Sequence, residues 1–271
     1  MARKVVLALL AVLAVLLGLA QLPPVRRVML LARLYPVYQV ATTEKVAALT
    51  FDISWGTKTP APVVEILRQK NLRCTFFLSG PWVMNHPDLA RLIKAGGHEI
   101  ASHGHRHLNY STLSADGVAE QLRLAHQSIK QVLGVEPNLI RTPNGDYNDT
   151  VIRTIRANGY EAIQWSTDSL DWLNPGVERI ISRVLDRVHP GDIILMHASD
   201  SCRQTVAALP AVIDGLRAKG YRLVTVSELL RLAEPAGRRS PLEPGTYTRP
   251  EAPASPPDSR PPLERPGTDR R

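Results

Sequence analysis

The stretch Thr50-Phe51-Asp52-Ile53-Ser54-Trp55-Gly56 ends an apolar run that begins at Val46 and brings a single carboxylate to the end of a predicted strand. A turn of Ser, Trp and Gly follows directly. In parallel α/β folds the reactive side chains stand at the carboxyl ends of the strands, so Asp52 is a candidate catalytic group. A carboxylate at this place can equally cap the helix that follows. The stretch alone leaves both interpretations open.

Strand and helix patterns alternate along most of the chain. The strand patterns are Val46–Asp52, Arg73–Leu78, His98–Ser102, Leu139–Arg141, Glu161–Ser166, Ile193–Met196 and Tyr221–Val224. The helical patterns are Thr59–Lys70, His86–Gly96, Ser114–Leu133, Asp149–Ala157, Val177–Val188, Arg203–Lys219, with a kink or restart expected at Pro210, and Ser227–Ala233. Such alternation predicts a (β/α) barrel or a doubly wound sheet and does not separate the two.

Composition is that of a globular protein with one large domain and accessory segments, since 44% of the 271 residues are hydrophobic. The net charge of +8 favours acidic surfaces such as lipid headgroups or anionic wall polymers. Nucleic-acid binding is not predicted, because the arginines are spread out and only 5% of residues are aromatic. The two cysteines, Cys74 and Cys202, lack metal-site spacing and are predicted to pack as small hydrophobes, with a bridge between them as the alternative.

Both termini differ from this central region. In residues 1–24, a basic pair precedes the uncharged segment Val5–Leu22, which is long enough to cross a bilayer. This pattern predicts a single-pass signal anchor in the cytoplasmic membrane with the N-terminus inside and the rest exported, and cleavage near Ala20 is the alternative. Residues 25–44 are a predicted juxtamembrane connector and residues 45–233 the folded domain. Residues 234–271 are rich in Pro and Arg without apolar periodicity, which predicts a disordered tail.

Polar side chains follow five of the predicted strands. They are Asp52, His103 with His107, Arg141, Asp168 with Asp171, and His197. Because several strands contribute to one site at the C-terminal face of a barrel, the pattern predicts a shared catalytic site. On a helical turn, the rings of His103 and His107 would lie on one face and could share a metal ion, while His105 would point elsewhere.

Five motifs, in this order, resemble the polysaccharide deacetylase family, carbohydrate esterase family four, over about Lys45 to Leu232. They are Thr50-Phe51-Asp52, His103-x-x-x-His107, Arg141-x-Pro143-x-Gly145, Asp168-x-x-Asp171-Trp172 and Leu195-x-His197. Within the family, the segments Phe51–Gly56 and His197–Cys202 are most similar to the sporulation-associated PdaB-like group. The resemblance implies a distorted (β/α)7 barrel and the metal-assisted removal of acetyl groups from N-acetylated sugars of chitin or peptidoglycan.

The resemblance also implies roles for four charged residues, matched by position. Asp52 is the expected general base and Arg141 the residue that orients it and keeps it ionised. His197 is the expected general acid that protonates the leaving amine, with Asp171 as its partner.

The expected metal ligands are His103 and His107, which in this family hold zinc or another divalent ion. The sequence departs from the family at Ile53, where a second aspartate usually completes the metal site. An aliphatic side chain cannot coordinate zinc, and catalytic zinc is ordinarily held by three protein ligands. The resemblance therefore implies a weak or altered metal site.

The remaining expected residues contact the substrate. Trp172 and Leu195 line the acetyl pocket by resemblance, and the backbone N–H of Asn144, which follows Pro143, stabilises the oxyanion. Asn144 replaces the aromatic residue that the family usually has at this position.

The predicted function is an exported, membrane-anchored N-deacetylase acting on peptidoglycan, with no protein partner inferred. The alternative is a catalytically impaired relative that binds the glycan of the cell or spore wall. A hydrolase of another kind is a third interpretation, but neither a serine nucleophile elbow nor paired glycosidase carboxylates stand out.

Overall fold

The computed structural model describes residues 34–232, and these fold as a curled parallel sheet covered by helices. The strands are β1 (Val46–Ile53), β2 (Thr75–Leu78), β3 (Glu99–Ser102), β4 (Leu139–Ile140), β5 (Glu161–Ala162), β6 (Thr167–Asp168), β7 (Asp192–His197) and β8 (Arg222–Val224). The helices are α1 (Pro60–Gln69), α2 (Gly80–Asn85), α3 (Pro87–Ala95), α4 (Ala115–Leu133), α5 (Asp149–Ala157), α6 (Val177–Arg187), α7 (Thr205–Ala218) and α8 (Val226–Arg231).

The sheet is centred on β1, which pairs in parallel with β2, β7 and β8. The path from β1 through β2 and β3 leads to β4 and β5, and the path through β7 leads to β6. One continuous segment, residues 161–168, supplies both outer strands, since β5 pairs with β4 and β6 pairs with β7. The sheet is therefore curled, with its two edges joined by the same segment. This architecture agrees with the barrel expected from the resemblance.

Every residue of β1 is buried, and its side chains alternate between two apolar layers. Leu49, Phe51 and Ile53 belong to the layer between the sheet and the helices, which includes residues of α1 and α7. Val46 and Ala48 belong to the inner cluster. Asp52 follows the inner periodicity, so it points to the opposite side of the sheet from its neighbour Ile53.

Most predicted elements are present with ends shifted by one or two residues, and α5 has the predicted bounds. Three regions differ. The short helix α2 was not predicted, and the predicted strand Glu161–Ser166 is paired as a strand only at β5, because Ile163 forms a bridge with Val37 instead. The predicted loop 167–174 contains β6 and a 3₁₀ turn at Asp171–Leu173. Pro210 lies inside α7, whose helical assignment continues through it from Thr205 to Ala218.

The last residues of the predicted connector contact the domain, since Val37 and Val40 are buried in the inner cluster. Cys74 and Cys202 are both free and buried, as predicted for small hydrophobes. The predicted signal anchor and the predicted disordered tail lie outside the described residues. In residues 34–232, no helix combines the length and the apolar character needed to cross a membrane.

Candidate active site

Asp52 and Arg141 form a buried ion pair at the end of the central strand. Arg141, directly after β4, is completely buried, and its Nη1 donates to Asp52 Oδ1 at 2.7 Å and to Thr50 Oγ1 at 2.9 Å. Its Nη2 donates to the Gln164 carbonyl at 3.1 Å. The guanidinium carbon lies 4.1 Å from the ring centre of Phe77. The strands therefore hold the arginine in one orientation, with its charge directed at Asp52.

The charges around Asp52 favour its ionised form. Burial alone raises the pKa of this carboxyl group, but the positive charge of Arg141, with smaller contributions from His103 and His197, lowers it below the usual value. Asp52 is therefore a carboxylate at neutral pH, as a general base must be.

The capping interpretation of Asp52 is wrong, because another carboxylate occupies that place. Asp200 accepts backbone hydrogen bonds from the three residues before α1, Thr57 at 3.0 Å, Lys58 at 2.8 Å and Thr59 at 2.9 Å. Asp200 stands in the loop after β7, so a carboxylate from across the site fixes the turn that leads into α1.

His103 and His107 approach each other in a loop rather than on a helical turn. The chain after β3 turns at Gly104, whose φ of +73° and close approach to Tyr110 exclude a regular helix there. The two rings nevertheless lie 5.5 Å apart between centroids. His105 points elsewhere, and its Nδ1 lies against Gly80.

His103 is oriented by the neighbouring strand. Its Nδ1 is 2.8 Å from the carbonyl oxygen of Arg141, so Nδ1 carries the proton and Nε2 is left to face the site. Nε2 lies 3.7 Å from Asp52 Oδ2. A metal-binding histidine is commonly held in this way, with its second nitrogen donating to a carbonyl.

The two histidines suit a divalent ion, but the third ligand is missing. Burial lowers the pKa of His103, and desolvation with the nearby His103 lowers the pKa of His107 to about 4, although His107 lies at the exposed rim. Both rings are therefore neutral at pH 7, which is the form that binds metal. Ile53 is fully buried and faces the helices. Within residues 34–232, one group of three side chains has potential ligand atoms close enough together to hold a metal ion. This group is Asp171, His197 and Cys202, and it does not include His103 or His107.

His197 and Asp171 form a second, partly buried pair beside the first. In the pairing of β1 with β7, His197 stands opposite Asp52. His197 Nδ1 is 2.7 Å from Asp171 Oδ1, and its backbone N–H donates to Asp171 Oδ2 at 2.8 Å. Thr205 Oγ1 also donates to Asp171 Oδ2, at 2.7 Å. The fully buried carboxylate thus fixes the orientation of the histidine ring and keeps a proton on Nδ1.

The pKa of His197 reflects these neighbours. Burial lowers it, but the charge and hydrogen bond of Asp171, together with the charges of Asp52 and Asp168, outweigh burial and raise it to about 9. His197 is therefore an imidazolium at neutral pH and can donate a proton. The predicted polar residue Asp168 borders this pair, and burial raises the pKa of its carboxyl group.

The expected substrate-contacting residues line two sides of this region. Leu195 is buried in β7 on the same side as His197, whereas Trp172 is 37% exposed on the 3₁₀ turn after Asp171. Pro143 is buried, and Asn144 has a left-handed φ of +58°. The side chain of Asn144 donates from Nδ2 to Asn109 Oδ1 at 2.7 Å, so it packs against the segment that follows the two histidines.

Several residues of the site were not predicted. Asp200 and Thr205 act through hydrogen bonds to other loops, and Cys202 lies near the His197 pair. The sequence of His197–Cys202 indicates only a similarity to one group of the family. Their positions depend on how the loops after β1 and β7 fold together, which no local pattern in the sequence reports.

Known proteins share similarity with most of the described domain. A family model described as polysaccharide deacetylase matches residues 39–163. A peptidoglycan-N-acetylglucosamine deacetylase of Bacillus cereus is 40% identical over 200 residues, which cover 73% of this chain and 93% of that relative. The chain belongs to the polysaccharide deacetylase family. It is thereby placed among hydrolases that act on carbon–nitrogen bonds of linear amides, as predicted, while the PdaB-like group stays a prediction.

Solved structures of this family include both enzymes and a pseudoenzyme. The family 4 carbohydrate esterase PdaA of Bacillus subtilis superimposes with a TM-score of 0.68 at 27% identity, over 73% of this chain and 85% of that one. A family 4 pseudoenzyme of Bacillus anthracis superimposes with a TM-score of 0.69 at 31% identity, over 72% and 69%. A mutant of that pseudoenzyme is described as having restored enzymatic activity. Membership of the family is thus compatible with catalytic activity and with its absence.

Proposed function

We propose that this chain is an exported, membrane-anchored peptidoglycan N-deacetylase that hydrolyses the acetamido groups of wall amino sugars. The observation that carries the proposal is the presence of two charged pairs, the buried Asp52–Arg141 and the partly buried His197–Asp171, with Asp52 and His197 opposite each other on adjacent strands. Burying charged groups costs several kcal/mol each unless they are paired. A protein that only binds a neutral glycan has no need of a base and an acid held side by side.

The two pairs divide the proton transfers of amide hydrolysis between them. Asp52, held ionised by Arg141, accepts a proton from the attacking water. His197, held protonated by Asp171, then donates a proton to the amine nitrogen as the carbon–nitrogen bond breaks. The products are acetate and a free amino sugar. In this proposal the backbone N–H of Asn144 donates a hydrogen bond to the carbonyl oxygen, and Trp172 and Leu195 contact the acetyl methyl group.

His103 and His107 would hold a divalent ion, with zinc the expected one, and this ion would polarise the acetyl carbonyl as a Lewis acid. Because Ile53 supplies no third ligand, we expect weaker metal binding than in relatives with a complete set.

A second candidate function is non-catalytic binding of wall glycan. Ile53, which is buried between the sheet and the helices, favours this second function, since the ligand set that the family uses is incomplete. The similarity to the pseudoenzyme from Bacillus anthracis adds support.

Acetate release from purified peptidoglycan, by the full-length chain with and without added Zn²⁺, separates the two candidates. The deacetylase proposal expects metal-dependent acetate release that Asp52→Asn abolishes, while the exposed-carboxylate control Asp214→Asn leaves it unchanged. Glycan binding without acetate release under any divalent metal would support the binding protein instead. Products analysed by mass spectrometry show whether N-acetylglucosamine or N-acetylmuramic acid is the substrate sugar.

The proposed location has its own test. Fractionation after expression should leave the protein in the membrane through residues 1–24. A shortened soluble form would indicate cleavage near Ala20 and contradict the anchor.

A further inference from the structure

An exposed tryptophan stands at the rim of the candidate active site, next to the histidine loop. Trp55 is 47% exposed, and its ring lies edge-on to His107 with the centroids 5.2 Å apart. Its indole Nε1 donates to Ser201 Oγ at 3.2 Å. The ring is thus fixed on two sides while nearly half of its surface faces solvent.

The backbone that carries this tryptophan is also held firmly. Asp200 accepts three backbone hydrogen bonds from residues 57–59. Gly56 adopts a φ of +90° against Asp200, and a Cβ at this position would lie only 2.3 Å from the Asp200 Cγ. The carbonyl of Gly56 accepts a hydrogen bond from the Trp82 indole at 2.8 Å. An exposed indole on such an anchored turn loses little conformational entropy when a ligand covers it.

The same rim continues toward the other catalytic pair. Asn174 Nδ2 donates to the carbonyl of Ser201 at 2.8 Å, which ties the turn after Asp171 to the loop that holds the Trp55 indole. On this turn Trp172 is 37% and Leu173 is 45% exposed. Exposed apolar side chains therefore border the site on this side, with hydroxyl and amide groups among them.

We propose that Trp55 stacks on a sugar ring of the polymer next to the sugar that reaches Asp52. The proposal rests on the proposed glycan substrate class of the site. A pyranose ring has an apolar C–H face and a hydroxyl edge, which match an indole face flanked by the Ser201 hydroxyl. Carbohydrate and cofactor sites typically combine aromatic surface with a few polar groups that fix orientation. Trp55 is thus a specificity-determining residue that makes the protein prefer oligomers to single sugars.

The test measures binding of N-acetylglucosamine and of its β-1,4-linked tetramer by calorimetry, in a full-length Asp52→Asn background that prevents turnover. We expect Trp55→Ala to weaken tetramer binding roughly tenfold, the size of one lost aromatic contact, and to leave monosaccharide binding unchanged. Trp55→Phe should retain most of the tetramer affinity. The control Leu92→Ala, an exposed apolar side chain on α3, should change neither. Thermal unfolding checks that each variant folds.

Acetate release by the same variants with an intact Asp52 separates this inference from the proposed activity. If wild type releases no acetate but Trp55→Ala still loses tetramer binding, the stacking role stands and only the deacetylase proposal fails. A change of less than about twofold in tetramer binding would overturn the stacking role. An equal loss for monosaccharide and tetramer would overturn the placement of Trp55 beside a neighbouring sugar, as would wild type binding the tetramer no more tightly than the monosaccharide.

Discussion

The acid–base half of the site and its metal half differ in completeness. In the acid–base half, the carboxylates of Asp52 and Asp171 are each held by a charged partner in the buried interior. In the metal half, two neutral histidines face the site without the third ligand, because Ile53 points into the apolar layer under the helices. The two halves meet at consecutive residues of β1. Because successive side chains of a strand face opposite sides, Asp52 faces the site whereas Ile53, at the position of the missing metal ligand, faces the helices.

This difference shows which part of the site the fold itself depends on. Arg141 bonds to residues from β1 and from the segment before β6, so it is part of the packing as well as of the chemistry. The acid–base pairs are thus part of the packing, and so is His103 through its hydrogen bond to the Arg141 carbonyl, whereas His107 lies at the exposed rim.

Removal of the Arg141 charge should have the largest effect. Arg141→Met keeps the approximate volume but leaves Asp52 buried without a partner, so we expect the free energy of unfolding to fall by about 3–5 kcal/mol. Urea denaturation measures it. The control Arg68→Met breaks an exposed pair with Glu65 and should give no measurable change. A loss for Arg141→Met below about 1 kcal/mol would show that this pair behaves like a surface pair and would remove the contrast between the halves.

The His197 pair predicts a pH dependence of stability. The folded pKa of about 9 lies above the ordinary value of 6.5, so the stabilisation is fully present below pH 6.5 and is lost as the pH rises through 9. This amounts to roughly 3 kcal/mol at 1.36 kcal/mol per unit. Chemical denaturation between about pH 6 and pH 10 should show the decline in wild type but not in His197→Asn.

His98 supplies the control for this experiment. Burial lowers the pKa of His98 to about 4, so its contribution is constant above its ordinary value of 6.5 and falls only as the pH drops below that. His98→Asn should therefore keep the alkaline decline of wild type. Acetate release should fall through the same alkaline range, because the proton that His197 donates is then absent. An unchanged alkaline decline in His197→Asn would assign the effect to another group.

The sequence predicted the parts of this comparison that local patterns encode. An apolar run ending in Asp52 predicts a buried strand with a reactive end, and the helix Ala115–Leu133 follows from its apolar spacing, its Ser114 cap and Gly134. The charged residues after the strands could be recognised because the strands of a parallel sheet end on one side.

Other features depend on contacts between distant segments. The spacing of four between His103 and His107 is compatible with a helical turn and with an irregular loop. The loop forms because Gly104 packs against Tyr110, a contact that the spacing does not reveal. Asp52 could not be separated from a helix cap until Asp200 was found in that place. Residues 34–45 carry no strand pattern, so the burial of Val37 and Val40 was not predicted.

Restoring the missing ligand should bring the two halves together. Position 53 stands at the end of β1, and an Asp there reaches the histidines only by turning out of the apolar layer that Ile53 occupies. With this rearrangement, Ile53→Asp is expected to raise Zn²⁺ affinity by roughly tenfold or more, measured by calorimetry, and to increase acetate release. The matched control Ile53→Asn has the same shape without the charge and should gain neither. Both variants lose the buried contacts of Ile53, so both should be less stable than wild type. Equal metal affinities for the two variants would show that position 53 does not reach the histidines.

Disturbing the link between the loops of the two halves should cost less stability than removing the Arg141 charge. Gly56 precedes α1 and packs on Asp200, which stands three residues after His197 in the loop that follows β7. Gly56→Ala adds a Cβ at 2.3 Å from Asp200 Cγ in a left-handed conformation, so it should cost about 1–3 kcal/mol in unfolding free energy and disturb the loops after β1 and β7 together. The matched control is Gly159→Ala, which has a similar φ of +78° but nothing within 4 Å of the added Cβ. It therefore isolates the backbone strain, of about 1 kcal/mol. If both variants lose the same stability but only Gly159→Ala keeps normal activity, the Asp200 contact positions the site without stabilising the fold. If both variants also keep full activity, the two loops are not coupled through Gly56.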